Sequence, residues 1–338
     1  MSITGKQIKI TPFIMIVLPV AALLLSICMG RFAISPGTAF NILISRILPV
    51  EPTWTMVEET VVLLRIPRVL LAMLVGSGLS VAGASFQGLF RNPLVSPDIL
   101  GVSAGAGFGA CLGILISGKI MVVQSFAFGF GILAVSGAYF ISRQKTGSSL
   151  LMLVLIGVII GAFFSALIGL IKYVADPEDQ LPTIVYWLMG SMAGASYKDL
   201  LLGAPPILIG SSTLLLLRWR INILSLGEEE AQSLGINTGW LKCVFILSAT
   251  VITAAAVSLC GIVGWIGLVI PHIARMLVGP NHKNLLPACF SIGALSLLII
   301  DDIARTATAV EIPLSILTAI IGAPFFAFFL RKTGGRWG

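Results

Sequence analysis

The chain alternates between long apolar runs and short polar breaks. Apolar runs fall at about 11–29, 63–86, 99–117, 121–141, 150–172, 183–217, 241–260, 262–278, 285–300 and 313–330, the 183–217 run being interrupted. A helix needs about 20 mostly apolar residues to cross a bilayer. Inside lipid every backbone polar group must be satisfied within its own segment, so runs of this kind are helices. The weak period-two alternation of a barrel strand looks different. The pattern predicts an all-α polytopic membrane protein with about ten transmembrane helices. "MSITGKQIKITPFIMIVLPVAALLLSICMG" begins basic and turns apolar, as a signal peptide does. Its apolar run is long and no small-x-small site follows, so it reads as a retained first helix.

Composition supports the pattern. Of 338 residues 57% are hydrophobic and 10% charged, against about 25% charged in a soluble domain. With the chain started inside and ten spans alternating, thirteen of its 21 lysines and arginines fall inside and eight outside. That bias places both termini in the cytoplasm. Acidic residues collect outside, at Glu58, Glu59, 176–179, Asp301 and Asp302; the exception is Glu228–Glu230. The net charge of +7 thus reflects topology, and no basic stripe supports nucleic-acid binding. The whole chain, 1–338, reads as one transmembrane domain, with its longest inside interruption at 218–240.

Candidate chemistry is sparse. "GILISGKI" at 113–120 ends in Ile120 where a phosphate-binding loop needs Ser or Thr. "GAGFGA" at 105–110 lacks the acidic residue a dinucleotide site needs about 20 positions later. The five cysteines are scattered without metal spacing. Asp301 and Asp302 are adjacent, so on a helix they diverge by about 100°; they do not form a catalytic pair. His272 and His282 are too few for a structural zinc site. His272 reads as a helix-end residue meeting a free carbonyl. Gly-rich stretches at 76–88, 101–110 and 157–169 fit close helix packing. Together with Gly–Pro breaks they also fit discontinuous helices around a central route.

"RIPRVLLAMLVGSGLSVAGASFQGLFRNPLVSPDILGVSAGAGFG" at 65–109 resembles the signature of the permease family of iron-siderophore, haem and vitamin B12 ABC importers. "YWLMGSM" at 186–192, "LSLGEEEAQSLGIN" at 224–237 and "GIVGWIGLVIPHIARMLVGPNHKNLLP" at 261–287 continue the match, as do "DDIAR" at 301–305 and "EIPLSILTAIIGAPFFAFFL" at 311–330. Trp265 stands where many iron-siderophore members have Phe.

The resemblance implies a non-enzymatic subunit in the cytoplasmic membrane of a prokaryote, working beside a second copy of itself. Two cytoplasmic ABC ATPases would hold the ATP and magnesium, with no cofactor on this chain, and an extracytoplasmic substrate-binding protein would dock outside. It implies that Arg65, Arg68 and Arg305 receive carboxylates of that binding protein; contact with lipid headgroups, or internal pairing with Glu58, Glu59 or Asp302, is the competing reading. It implies that Leu226, Gly227, Glu228, Glu229, Ala231, Leu234 and Gly235, in the cytoplasmic loop, carry ATPase motion into the membrane. "LGEEEAQSLG" reads there as two short helical turns. It implies a route at the dimer axis lined by Gly157, Gly161 and Ser165, with Thr146, Ser148 and Ser149 near its inner mouth. The cargo would be a metal chelate, an oxyanion such as molybdate being the alternative. An ATP-independent channel or carrier is the reading from another class.

Overall fold

The computed structural model describes residues 12–48, 51–144, 147–148 and 150–333. Among these it contains thirteen α-helices and one two-residue ladder. In chain order they are α1 (Pro12–Cys28), α2 (Pro36–Ile44), α3 (Met56–Leu89), α4 (Val102–Ile116), α5 (Ile120–Ser142), β1 (Arg143–Gln144), β2 (Gly147–Ser148) and α6 (Leu150–Val174). There follow α7 (Gln180–Met189), α8 (Tyr197–Leu224), α9 (Glu228–Ser233), α10 (Thr238–Cys260), α11 (Ile266–Val278), α12 (His282–Thr306) and α13 (Leu314–Thr333). Six of them (α3, α5, α6, α8, α10 and α12) are long and apolar enough to cross a membrane. Four shorter apolar helices correspond to α1, α4, α11 and α13.

The interrupted run at 183–217 resolves into two elements, the short α7 and the long α8. Gly190, with φ +74, ends α7. The Ser196 hydroxyl and the Asp199 carboxylate then close a reciprocal capping box that starts α8. Because α8 continues to Leu224, the inner interruption runs from 225 to 237 rather than 218 to 240. A similar box, Thr55 with Glu58, starts α3 seven residues before the apolar run begins.

At 34 residues α3 is about 50 Å long. It is the axis of the bundle, packed against α8, α10, α11 and α12 and buried along most of its length. Small residues make that possible. A Cβ on Gly83 would run into the Gly267 carbonyl of α11, and one on Gly76 into the Gly293 carbonyl of α12. On α4, Gly105 and Gly109 lie in the same way against the Phe130 and Phe126 carbonyls of α5. These stripes are packing surfaces, where backbones approach to gain dispersion contacts that water-driven burial cannot supply in lipid. Gly83→Val should therefore force α3 and α11 apart at a cost of about 1–3 kcal/mol. A melting temperature in detergent equal to wild type would contradict this.

Two helices begin inside the protein. After α3 the chain passes through the 3-10 turn Pro97–Leu100 and Gly101, with φ +82, before α4 starts. After α10, extended residues precede Trp265, a non-glycine at φ +68, which leads into α11. The two breaks meet: a Cβ on Gly267 would lie 2.8 Å from Pro97 Cδ. Irregular backbone at this depth is tolerated where protein encloses it.

Candidate functional site

Three regions carry polar chemistry. They are named outer and inner after the charge bias.

At the outer end, α3, α12 and the 307–313 loop share a buried ion network. The Arg68 guanidinium donates to both oxygens of Asp301 at 2.8–3.2 Å and to both oxygens of Glu311 at 2.8 and 2.9 Å. Asp301 is fully buried. Arg305 pairs with Asp302 and donates to the Ser26 carbonyl of α1. Arg65 has its terminal nitrogens on the Ile27 and Phe32 carbonyls, both at 2.7 Å. The 100° divergence of Asp301 and Asp302 sends one carboxylate to each arginine. Burial alone would raise the Glu311 carboxyl, but the hydrogen bonds and charge of Arg68 outweigh it and hold the group below its ordinary value.

Sequence reasoning put Arg65, Arg68 and Arg305 at an outer docking surface. At the end named outer they are not exposed on this chain. All three are buried, and the guanidinium donors face internal acceptors. Only Arg305, on Asp302, has a partner that the internal-pairing reading names; Arg68 takes Asp301 and Glu311, and Arg65 takes backbone carbonyls, because a guanidinium enclosed by a bundle must find acceptors inside it. Asp301 and Glu311, which hold Arg68, were missed as a pair; they lie ten positions apart on either side of a turn, and no periodicity links them.

In the middle of the chain, α6 leaves most of its surface uncovered. Of the expected route residues, Ser165 is exposed, with its hydroxyl turned back to the Gly161 carbonyl at 2.8 Å. Gly161 is half-buried, and Gly157 is buried against Ile99 and Leu100 of the 3-10 turn. Gly157 thus seats the broken helix, and the open α6 face runs through Val158, Ala162 and Ser165. Thr146 and Ser149 lie outside the described residues, and Ser148 contributes backbone to the β1–β2 ladder closing the α5–α6 connection. The same 3-10 turn holds Asp98, bonded to the Ser103 hydroxyl. A carboxylate on such a break is rare within a membrane domain, and its flank of Pro97 and Gly101 was the signal for it in the sequence.

The third region is the inner connection. α9 is a single six-residue helix, not two turns, between Gly227 and Gly235 (φ +78). Ala231 is fully buried beneath it, so this residue anchors the helix and is not part of an exposed knob. Leu226 and Leu234 are 65% and 63% exposed, and Trp240, which sequence reasoning passed over, is 53% exposed. Glu229 and Glu230 are also exposed. Glu228 is exposed too, but its carboxylate turns back to Lys242 Nζ at 2.6 Å and accepts from the Thr238 hydroxyl at 3.3 Å.

The Lys242 hydrogen bond holds the Glu228 carboxyl below its ordinary 4.5. A lowered folded value means that the stabilisation is complete above that pH and is lost as pH falls through the folded value. A spin label at Leu234→Cys should accordingly gain mobility as the sample is acidified below 4.5. With E228Q added it should be mobile already at neutral pH; an unchanged spectrum would show that Lys242 does not pin α9.

The histidines complete the inner end. His272 Nε2 lies 2.9 Å from the Pro93 carbonyl, in the α3–α4 loop, with its ring against Phe326 and Phe329. It does meet a carbonyl, but one from a neighbouring loop, and it sits in the middle of α11 and not at the helix end that the sequence predicts.

Membrane-length helices around an enclosed axis, two helices broken inside the bundle and an exposed amphipathic element at one end define a polytopic membrane transport subunit. The model of the FecCD transport family matches residues 17–332, and the chain belongs to that family. It is 42% identical over 312 residues to the molybdate import system permease protein MolB of Haemophilus influenzae, covering 91% of each chain. It is 43% identical over 272 residues to an iron chelatin transport system permease protein of Helicobacter pylori, covering 80% of this chain and 82% of that one. A solved inward-facing ABC transporter of metal-chelate type superposes with TM-score 0.84 at 40% identity, over 95% of this chain and 98% of that one. The chain is a permease subunit of an ABC import system, a multi-pass protein of a prokaryotic inner membrane.

Proposed function

We infer that the chain moves a metal chelate (an iron chelate, haem or cobalamin) inward as one half of a homodimer. Two ATPases dock on the α9 region and a ligand-loaded binding protein on the outer end. The observation that carries the coupling assignment is the pairing of exposed Leu226 and Leu234 with Glu229 and Glu230 around a buried Ala231. Apolar side chains ringed by charge at a water-facing end are what a protein partner covers. The uncovered α6 face, through Ser165, supplies the dimer axis and the route. On the outer end, Arg65, Arg68 and Arg305 shape the docking surface through their internal bonds.

The metal-chelate reading draws on the iron chelatin relative and on the metal-chelate type structure. Molybdate is the second reading, favoured by the 42% identity to MolB over 91% of both chains. Proteoliposomes holding the chain, its ATPase and its binding protein separate them: ATP-dependent accumulation of radioactive iron chelate or of molybdate identifies the cargo. Accumulation of either by the chain alone, without ATP, would reject the importer assignment.

A further inference from the structure

Between the inner ends of α3, α8, α11 and α13 and the first turn of α12 lies a cavity of about 810 Å³. Arg91 and Arg275 line it, with the amides of Asn222 and Asn281, and Met276 and Phe329 form an apolar flank. No Asp or Glu is among its lining residues. Arg275 is half-buried and donates to the uncharged Gln87 amide oxygen at 2.9 Å. Arg91 donates through Nε to the Leu224 carbonyl at 3.2 Å.

Among the described residues neither guanidinium has a carboxylate within ion-pair distance. Glu228, the acid whose charge is felt by Arg91, is already held by Lys242 at 2.6 Å. The outer end offers the contrast, because Arg68 and Arg305 are both matched by acids there. Arg65 lacks an acid too, but both of its terminal nitrogens sit on backbone carbonyls.

Two guanidiniums that face one cavity without a counter-charge, Arg275 half-buried and Arg91 exposed, repel each other, and an anion between them relieves that repulsion. Guanidinium forks match the oxygens of phosphate in pairs. Basic pockets between membrane helices on the cytoplasmic side take anionic head groups. We propose that this cavity is a phosphate-binding site, filled by the head group of an anionic inner-leaflet phospholipid or by a free phosphate ion. The apolar flank of Met276 and Phe329 suits the glycerol end of a lipid. The site adjoins the joint that leads from α8 into α9, since Arg91 also ties the end of α3 to Leu224. Its occupancy is independent of which cargo is carried.

The test uses the purified full-length chain and two probes. In detergent without added lipid, inorganic phosphate is titrated against chloride at matched ionic strength while the melting temperature is followed. In parallel, the chain is placed in phosphatidylcholine vesicles with or without phosphatidylglycerol, and lipid retained on extraction is weighed by native mass spectrometry. Stabilisation by phosphate beyond chloride, with the half-saturating concentration raised at least tenfold in R91Q, identifies a free-ion site. Silence toward phosphate, together with phosphatidylglycerol retained by wild type and lost in R91Q, identifies a head-group site. R275Q should act in the same direction; R91Q, at an exposed side chain, guards against a folding defect. No stabilisation by either probe, or stabilisation unchanged in both variants, overturns the proposal. So does an R91Q chain that handles both probes like wild type but binds the purified ATPase more weakly in a pull-down run alongside, which would make a partner's carboxylate the occupant.

Discussion

Asp301→Ala should be the most destabilising single change at the outer end, costing about 3–5 kcal/mol. Asp301 is fully buried, and Arg68 spends both Nε and a terminal nitrogen on it. Removing the carboxylate leaves a guanidinium inside the bundle with Glu311, a partly exposed acid, as its remaining counter-charge. The loss should appear as a lower melting temperature in detergent and a smaller yield of inserted protein. Replacing both members, Arg68→Met with Asp301→Leu, removes the charge and its partner together. Such apolar replacements of buried pairs come out near neutral or better, so the double variant should recover most of the stability. If Asp301→Ala melts like wild type, the network is not what holds α3, α12 and the 307–313 loop together. By the same reasoning Arg65→Glu would put a carboxylate beside two carbonyls, so it would report on folding before it reported on docking.

Loss of transport with an intact fold is expected from the inner connection. Leu226→Asp with Leu234→Asp should lower ATP-driven uptake at least tenfold, because each removes an exposed apolar contact and adds like charge beside Glu229 and Glu230. Hot-spot residues at protein interfaces cost about 2 kcal/mol or more each on truncation, which makes tenfold a lower bound. Gly235→Trp should act through the backbone, since φ +78 strains any side chain there although the space around it is open. Ala231→Arg is a different experiment: its side chain would have to enter the packing beneath α9, so it would unseat the helix itself. The measurement is uptake and stimulated ATP hydrolysis in the same proteoliposomes, with insertion checked by labelling. Normal uptake by the double leucine variant would remove α9 as the coupling element.

The candidate sites were legible to different degrees. The inner element announced itself, because three carboxylates between two glycines contradict a positive-inside loop; its Gly227 and Gly235 boundaries hold. What sequence could not supply was the facing of each residue. Over six residues a helix makes fewer than two turns, so no periodicity distinguishes buried Ala231 from exposed Leu234. The outer arginines show the same limit from the other side. Arg65 and Arg68 share a helix face by spacing, but whether that face meets water or the bundle depends on α1, α12 and the 307–313 loop, up to 243 positions away.

By itself the sequence determined the membrane class, the helical architecture and most span positions, because lipid tolerates only long apolar segments that satisfy their own backbones. It also determined where backbones could come close, since only glycine at positions such as 83 and 105 leaves room for a neighbouring carbonyl. The tertiary structure alone decided which side chains those segments bring together. It directed Asp301 to Arg68 and Asp302 to Arg305, left Arg91 and Arg275 facing one cavity without an acid, and set the broken ends at Gly101 and Trp265 beside α6 and α13. Hydropathy is a property of each segment taken singly, whereas the pairing of charges depends on distances between segments that a linear pattern does not contain.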